Sequence, residues 1–203
     1  MAATTADGAA EFFPPRTQPT QRQIDAVSPQ LPLIRQFACS NQAQNMERVL
    51  ALQNTARTQH GKRPFAAILV GPDHESVLLM HQSVSHVEHA ESSLARLSSL
   101  HYSQGYLWKC TLYSTWEPCA MCSATIYWAN IGRVVYGASN EELYKLTGSK
   151  NKENFTMKWN CREIISGGQK EVDIIGPLTG AWEGKVVEDA DGYWSIVRKR
   201  MDQ

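Results

Sequence analysis

The chain has 203 residues, 20 Lys+Arg against 20 Asp+Glu, and 42% hydrophobic residues, which suits one domain with a sizeable core plus a tail. No run of 18 apolar residues occurs, which excludes a membrane-spanning helix, and zero net charge argues against broad electrostatic capture of nucleic acid or an anionic membrane. Five cysteines, two of them in a C-x-x-C, and no charged-then-apolar secretory pattern point to a reducing, cytoplasmic setting without a disulfide framework.

Residues 1–28 are rich in Ala, Thr, Gln and Pro, and five of the nine prolines lie between Pro14 and Pro32. Such a segment has little to bury and reads as a disordered extension, Phe12 and Phe13 being its only large apolar pair. The folded domain is expected over 29–203. Met46, Val49, Leu50 and Gln53 mark one face of a helix ending near Gly61. Residues 64–70 and 77–84 read as two strands joined by the turn Gly71-Pro72-Asp73, a hairpin. Ala90, Leu94 and Leu97 set a helical period over 88–101. A strand follows at 110–115, then a helix at 119–130 that is apolar nearly all round and should be sandwiched, with Trp128 in the core. A strand at 133–138, a short helix at 141–146 and a last strand at 172–175 complete the series. Strands alternating with helices of this length imply an α/β protein of three layers, with a mixed or parallel sheet covered on both faces.

One pattern stands above the rest: His89-Ala90-Glu91, then Pro118-Cys119-Ala120-Met121-Cys122. H-x-E followed by P-C-x-x-C about one helix and one strand later matches the signature of zinc deaminases. Cys119 and Cys122 are three apart at a predicted helix start, so they share a face, and the positive helix end favours their thiolates. His89 adds a third ligand. Three protein ligands leave the fourth position of a tetrahedral zinc open to water, which marks a catalytic site. Glu91 is then the proton shuttle between that water, the ring nitrogen and the leaving amine. A structural zinc would need a fourth ligand, and Cys110, Cys161, His86 and His101 are candidates only by residue type. A redox C-x-x-C would not bring an H-x-E with it.

At these residues the sequence resembles the cytidine deaminase-like superfamily, over residues 46–177. Glu117-Pro118-Cys119-Ala120-Met121-Cys122, Ile126-Tyr127-Trp128-Ala129 and Ile131-Gly132-Arg133-Val134-Val135-Tyr136-Gly137 are similar to the branch holding guanine deaminases and tRNA adenosine deaminases. The resemblance implies a five-stranded mixed sheet in a three-layer α/β/α fold. It also implies one Zn²⁺ per chain on His89, Cys119 and Cys122, catalysis by Glu91, and a homodimer. The backbone of Ala90 and the side chains of Phe65, Trp116, Glu117 and Phe155 are expected at the substrate. The family's Asn before the H-A-E is replaced by Gln82, only seven residues ahead of His89, and Gln82 is expected to offer the same amide from a longer arm. Among other aromatics, Tyr127 and Trp159 are candidates for stacking on a planar ring. The expected activity is hydrolytic deamination of a free nucleobase or small amino-heterocycle, a guanine-like ring first, with release of ammonia. Adenosine deamination in tRNA ranks second, on the cations Lys145, Lys150, Lys152, Lys158 and Arg198-Lys199-Arg200. A non-catalytic zinc-holding subunit ranks third, because Glu91 is present.

Overall fold

The computed structural model describes residues 34–149 and 151–201, with side chains from residue 41. The extension at 1–28 with Phe12 and Phe13, the side chain of Cys39, and Lys150 lie outside the described residues. In chain order the elements are α1 (Ile34–Thr58), β1 (Ala66–Val70), β2 (Val77–Gln82), α2 (Ala90–His101), α3 (Gln104–Leu107), β3 (Thr111–Trp116), α4 (Ala120–Trp128), β4 (Arg133–Ala138), α5 (Asn140–Thr147), α6 (Cys161–Ser166), β5 (Asp173–Ile175) and α7 (Ala181–Met201).

The strands form one sheet in the order β2-β1-β3-β4-β5. β1 runs antiparallel to β2 and β3, while β3, β4 and β5 run parallel. The central strands are buried on both faces, and their two-residue alternation assigns each side chain to a layer. Leu69, Leu112 and Val134 point into a core completed by Leu94 of α2 and Ile126 of α4. Ala66, Ile68, Tyr113 and Val135 point the other way, onto Met46 and Val49 of α1. A third core of Trp116, Leu143, Val186, Trp194 and Val197 closes the end of the sheet under α5 and α7. The expected three-layer α/β architecture is present.

Three expectations need correction. First, α4 is not sandwiched. Only Cys122, Ser123 and Ile126 are buried along it, and Trp128 is 75% exposed. The helix is apolar nearly all round, yet the sheet covers one face only, so Met121, Thr125 and Trp128, at helical spacing, turn outward. Second, α4 ends before Asn130, which takes a left-handed φ of 65° and donates its side-chain amide to Gln104 O at 2.9 Å. Gly132 is required next, because a Cβ there would lie 1.9 Å from the Trp108 carbonyl oxygen. Third, α7 has no counterpart in the sequence reading. Its buried residues Val186, Ala190, Trp194 and Val197 recur at helical spacing, but Gly184 and Gly192 interrupt the run and lower its helix propensity. Tertiary contact holds it: Gln53, Asn54 and Arg57 of α1 all reach the Asp189 carboxylate, at 3.0, 2.6 and 3.0 Å.

Candidate active site

β3 and β4 lie parallel in register, with Trp116 opposite Ala138, so the turns that leave both strands meet at one edge of the sheet. His89 and Cys119 occupy the N-cap positions of α2 and α4. Both helix N-termini therefore face the same point, and their unpaired amides and dipoles favour negative charge there. Cys122 and Glu91 sit in the first turns of these helices and complete the group.

His89 Nδ1 is 3.6 Å from Cys119 Sγ and 3.6 Å from Cys122 Sγ, and the three donor atoms all lie within 4.8 Å of one another. A tetrahedral zinc with bonds of about 2.3 Å to sulfur and 2.05 Å to nitrogen separates those atoms by roughly 3.6 Å. The donor set therefore fits the metal in element, number and spacing. Among the described residues no other group of His, Cys, Asp or Glu meets this test. Cys110 and Cys161 are buried elsewhere as free thiols, each pushed up to about 12 by burial. His86 and His101 do not join the group, so three protein ligands stand and the fourth position remains open. Zn²⁺ is the cofactor, one per chain.

The Cys119 and Cys122 thiols perturb each other. Their mutual hydrogen bond pulls Cys119 down to about 4 and raises Cys122, which is deeper. The bond from Cys119 raises His89. Glu91 is 5% exposed. Burial, then the negative charge of Cys119, raise its carboxyl. Ser114 Oγ donates to Glu91 Oε1 at 3.1 Å, and Cys122 Sγ lies 3.6 Å from Oε2. These contacts fix the carboxyl beside the metal position. Ser114 carries no motif in the sequence, since β3 offers buried hydroxyls at Thr111, Ser114 and Thr115 alike.

His89, Glu91 and Cys119 open into a cavity of about 310 Å³. Phe65, Trp116, Glu117 and Phe155, the side chains that the sequence reading puts at the substrate, line it together with Arg63, His86 and Asn140. Phe65 stands edge-on to Trp116 and Trp194, with centroids 6.5 and 6.2 Å apart. Phe155 is 74% exposed at the rim. The Trp116 indole donates to Pro64 O at 3.1 Å, which locks its ring.

Two expected contacts are arranged otherwise. Glu117 reaches the wall, but both carboxylate oxygens are engaged: Oε2 accepts from Asn140 N and Oε1 from Cys161 N, each at 3.0 Å. Its carboxylate thus ties the starts of α5 and α6 to the metal loop. Gln82 does not line the cavity. It pairs with Ala66 across the β1–β2 ladder, and Ala66 faces the α1 core. Cross-strand partners share a face, so Gln82 turns away from α2 and bonds His60 Nδ1 at 2.8 Å. Ala90 is buried with its methyl in the core beneath α2, so any ligand contact falls to its backbone. Tyr127, Trp128 and Trp159 lie outside the cavity lining.

Comparison with known proteins agrees with this geometry. Residues 39–138 match the family described as "Cytidine and deoxycytidylate deaminase zinc-binding region". A probable cytosine deaminase of Schizosaccharomyces pombe is 33% identical over 137 residues, 66% of this chain and 81% of that protein. The chain belongs to this deaminase family. As a family member it is an aminohydrolase of the zinc type. A tRNA-specific adenosine deaminase of Buchnera aphidicola is 34% identical over 110 residues, 51% of this chain and 65% of that protein. The solved guanine deaminase of Nitrosomonas europaea superposes with a TM-score of 0.57 over 74% of this chain and 83% of that one, at 17% identity, and so shares the fold. Among the described residues no helix is long and apolar enough to cross a membrane.

Proposed function

We propose that this deaminase acts on a free nucleobase or comparable small amino-heterocycle, a guanine-like ring first, replacing a ring amino group by oxygen and releasing ammonia. The observation that carries this reading is the open His89-Cys119-Cys122 tripod with Glu91 buried beside it, at the floor of a cavity of about 310 Å³. That volume is at the small end of ligand sites and suits one planar ring system.

When bound, zinc supplies Lewis-acid activation of water, lowering its pKa toward neutrality. The protein residues do the rest. Glu91 takes one proton of the attacking water and passes it to the ring nitrogen next to the attacked carbon, then takes the remaining proton from the new hydroxyl and delivers it to the departing amine. Its buried position suits that role, because a carboxyl whose pKa is raised holds a proton more readily between transfers. Ser114 keeps Oε1 in place through both transfers. Phe65 and Trp116 supply apolar walls against which the ring faces pack, and the backbone of Ala90 is assigned to its polar edge.

Adenosine in tRNA is the second reading, supported by relatives such as the Buchnera enzyme. It needs a surface that tracks phosphates. Two of the expected cations are already paired: Lys145 with Glu141 and Glu142 at 3.0 and 2.8 Å, and Arg198 with Asp191 at 2.6 Å. The discriminating experiment is ammonia release from guanine, cytosine and adenine beside deamination of tRNA, at physiological salt. The proposal expects turnover of a free ring and none of tRNA; the reverse would install the second reading. The homodimer implied by the family likeness belongs to this proposal, as does a reducing, cytoplasmic setting. Sedimentation equilibrium of the zinc-loaded protein decides the first.

A further inference from the structure

Several polar side chains of the cavity wall take no part in the chemistry above, and among them Asn140 is the buried one with an unpaired nitrogen. Asn140 opens α5 directly after β4 and lines the cavity. It is 9% exposed, its side-chain amide has no hydrogen-bond partner among the described residues, and Nδ2 is closed off from solvent. Native proteins leave few buried amides unpaired, because each loses its water without replacement. Asn154, the other amide of the wall, is already occupied, donating to Thr156 Oγ1 at 2.8 Å. Gln82, the amide expected at the ring from sequence, faces the opposite side of the sheet.

The position of Asn140 is fixed by the metal loop. Glu117 Oε2 accepts its backbone N–H at 3.0 Å, two residues before Cys119, so the free amide is held at a set distance from the ligands. Oδ1 and Nδ2 are the two ends of this amide. Together they form an acceptor and a donor side by side, complementary to a ring N–H next to a ring carbonyl.

We propose that Asn140 reads this N–H/C=O edge of the substrate ring, Oδ1 accepting the N–H and Nδ2 donating to the carbonyl, and so selects an unsubstituted base. The inference rests on the free-ring reading above. Cytosine presents the edge at N1–H and C2=O, guanine at N1–H and C6=O. A methyl group on that nitrogen removes the donor and sets bulk against the amide. In cytosine it is also the nitrogen that carries the sugar of a nucleoside.

The test measures kcat and KM of the zinc-loaded wild type, Asn140→Ala and Asn140→Asp on cytosine, guanine and their 1-methyl derivatives. Asn140→Ala should lower kcat/KM for the accepted base tenfold to a hundredfold and that for its methyl derivative less than threefold, so that discrimination between the two shrinks. Asn140→Asp keeps the shape but exchanges the donor for an acceptor, and should lose at least as much. An Asn140→Ala enzyme with unchanged kcat/KM overturns the proposal. So does an equal loss on parent and methylated rings, the mark of a merely structural residue. A wild type that releases ammonia from neither base refutes the free-ring reading and this inference with it, whereas an active wild type with an indifferent Asn140→Ala refutes the inference alone.

Discussion

Replacing Glu117 by Ala should destabilise the folded protein far more than an ordinary surface change. The side chain is buried, and its two oxygens accept from Asn140 N and Cys161 N at 3.0 Å each. Hydrogen bonds to a charged group are worth about 1.5–3 kcal/mol each, and removing the acceptor leaves two buried amides unpaired. The expected loss is therefore about 3–6 kcal/mol, a large part of the 5–15 kcal/mol typical of a domain. Glu117→Gln keeps one acceptor oxygen and turns an NH₂ toward the other amide, so about half of the loss or more should remain. Denaturant unfolding at a fixed free zinc concentration reads both, with zinc held constant because metal binding adds its own stability. A loss under about 1 kcal/mol for Glu117→Ala, accompanied by a raised KM, would refute the reasoning and return Glu117 to the substrate-binding role suggested by its motif.

Trp194→Ala removes a fully buried indole from the core shared by α5 and α7, and should cost about 3–5 kcal/mol. Because Trp194 backs Phe65 at 6.2 Å, the variant should also lose activity at temperatures where it remains folded, checked by melting and turnover on one preparation. Gly132→Ala places a methyl 1.9 Å from the Trp108 carbonyl oxygen and should cost about 3 kcal/mol by overpacking; a wild-type melting curve would show that the loop yields. His74 has its pKa lowered, chiefly by burial. Its folded state binds the proton less readily than the unfolded chain, so stability falls as pH drops below about 6.5, the ordinary histidine value. His74→Asn, which tolerates the left-handed φ of 59°, should remove that share of the acid sensitivity, read as melting temperature between pH 8 and 5.

The parts of the fold that local patterning controls were legible in the sequence. The β1–β2 hairpin followed from its apolar runs and the Gly71-Pro72-Asp73 turn, and β4 was read to its observed bounds. The metal site was legible because its chemistry imposes spacing: two helix starts, each carrying ligand and carboxyl or ligand pairs within one turn. What escaped depends on partners distant in sequence. α7 is held by Asp189 meeting three side chains of α1 more than 130 residues away, which no local window reveals. Trp128 looked like core because α4 is apolar on every side, but one sheet covers only one face. Gln82 looked like a site residue because it stands near His89 in sequence, whereas strand pairing with Ala66 decides its face. Asn140 carried no motif at all, and only the register of β3 against β4 brings it to the cavity.

Glu91 carries both proton transfers of the proposed reaction. Wild type, zinc-free protein and Glu91→Gln should be compared for ammonia released from guanine, cytosine and adenine, with zinc content measured on each sample. The predicted result is stoichiometric ammonia from one free ring by the zinc-loaded wild type alone. Zinc-free protein should be silent, and Glu91→Gln should retain one zinc per chain while losing about 10²- to 10⁴-fold or more in rate. Turnover by Glu91→Gln at the wild-type rate, or by zinc-free protein, would contradict it.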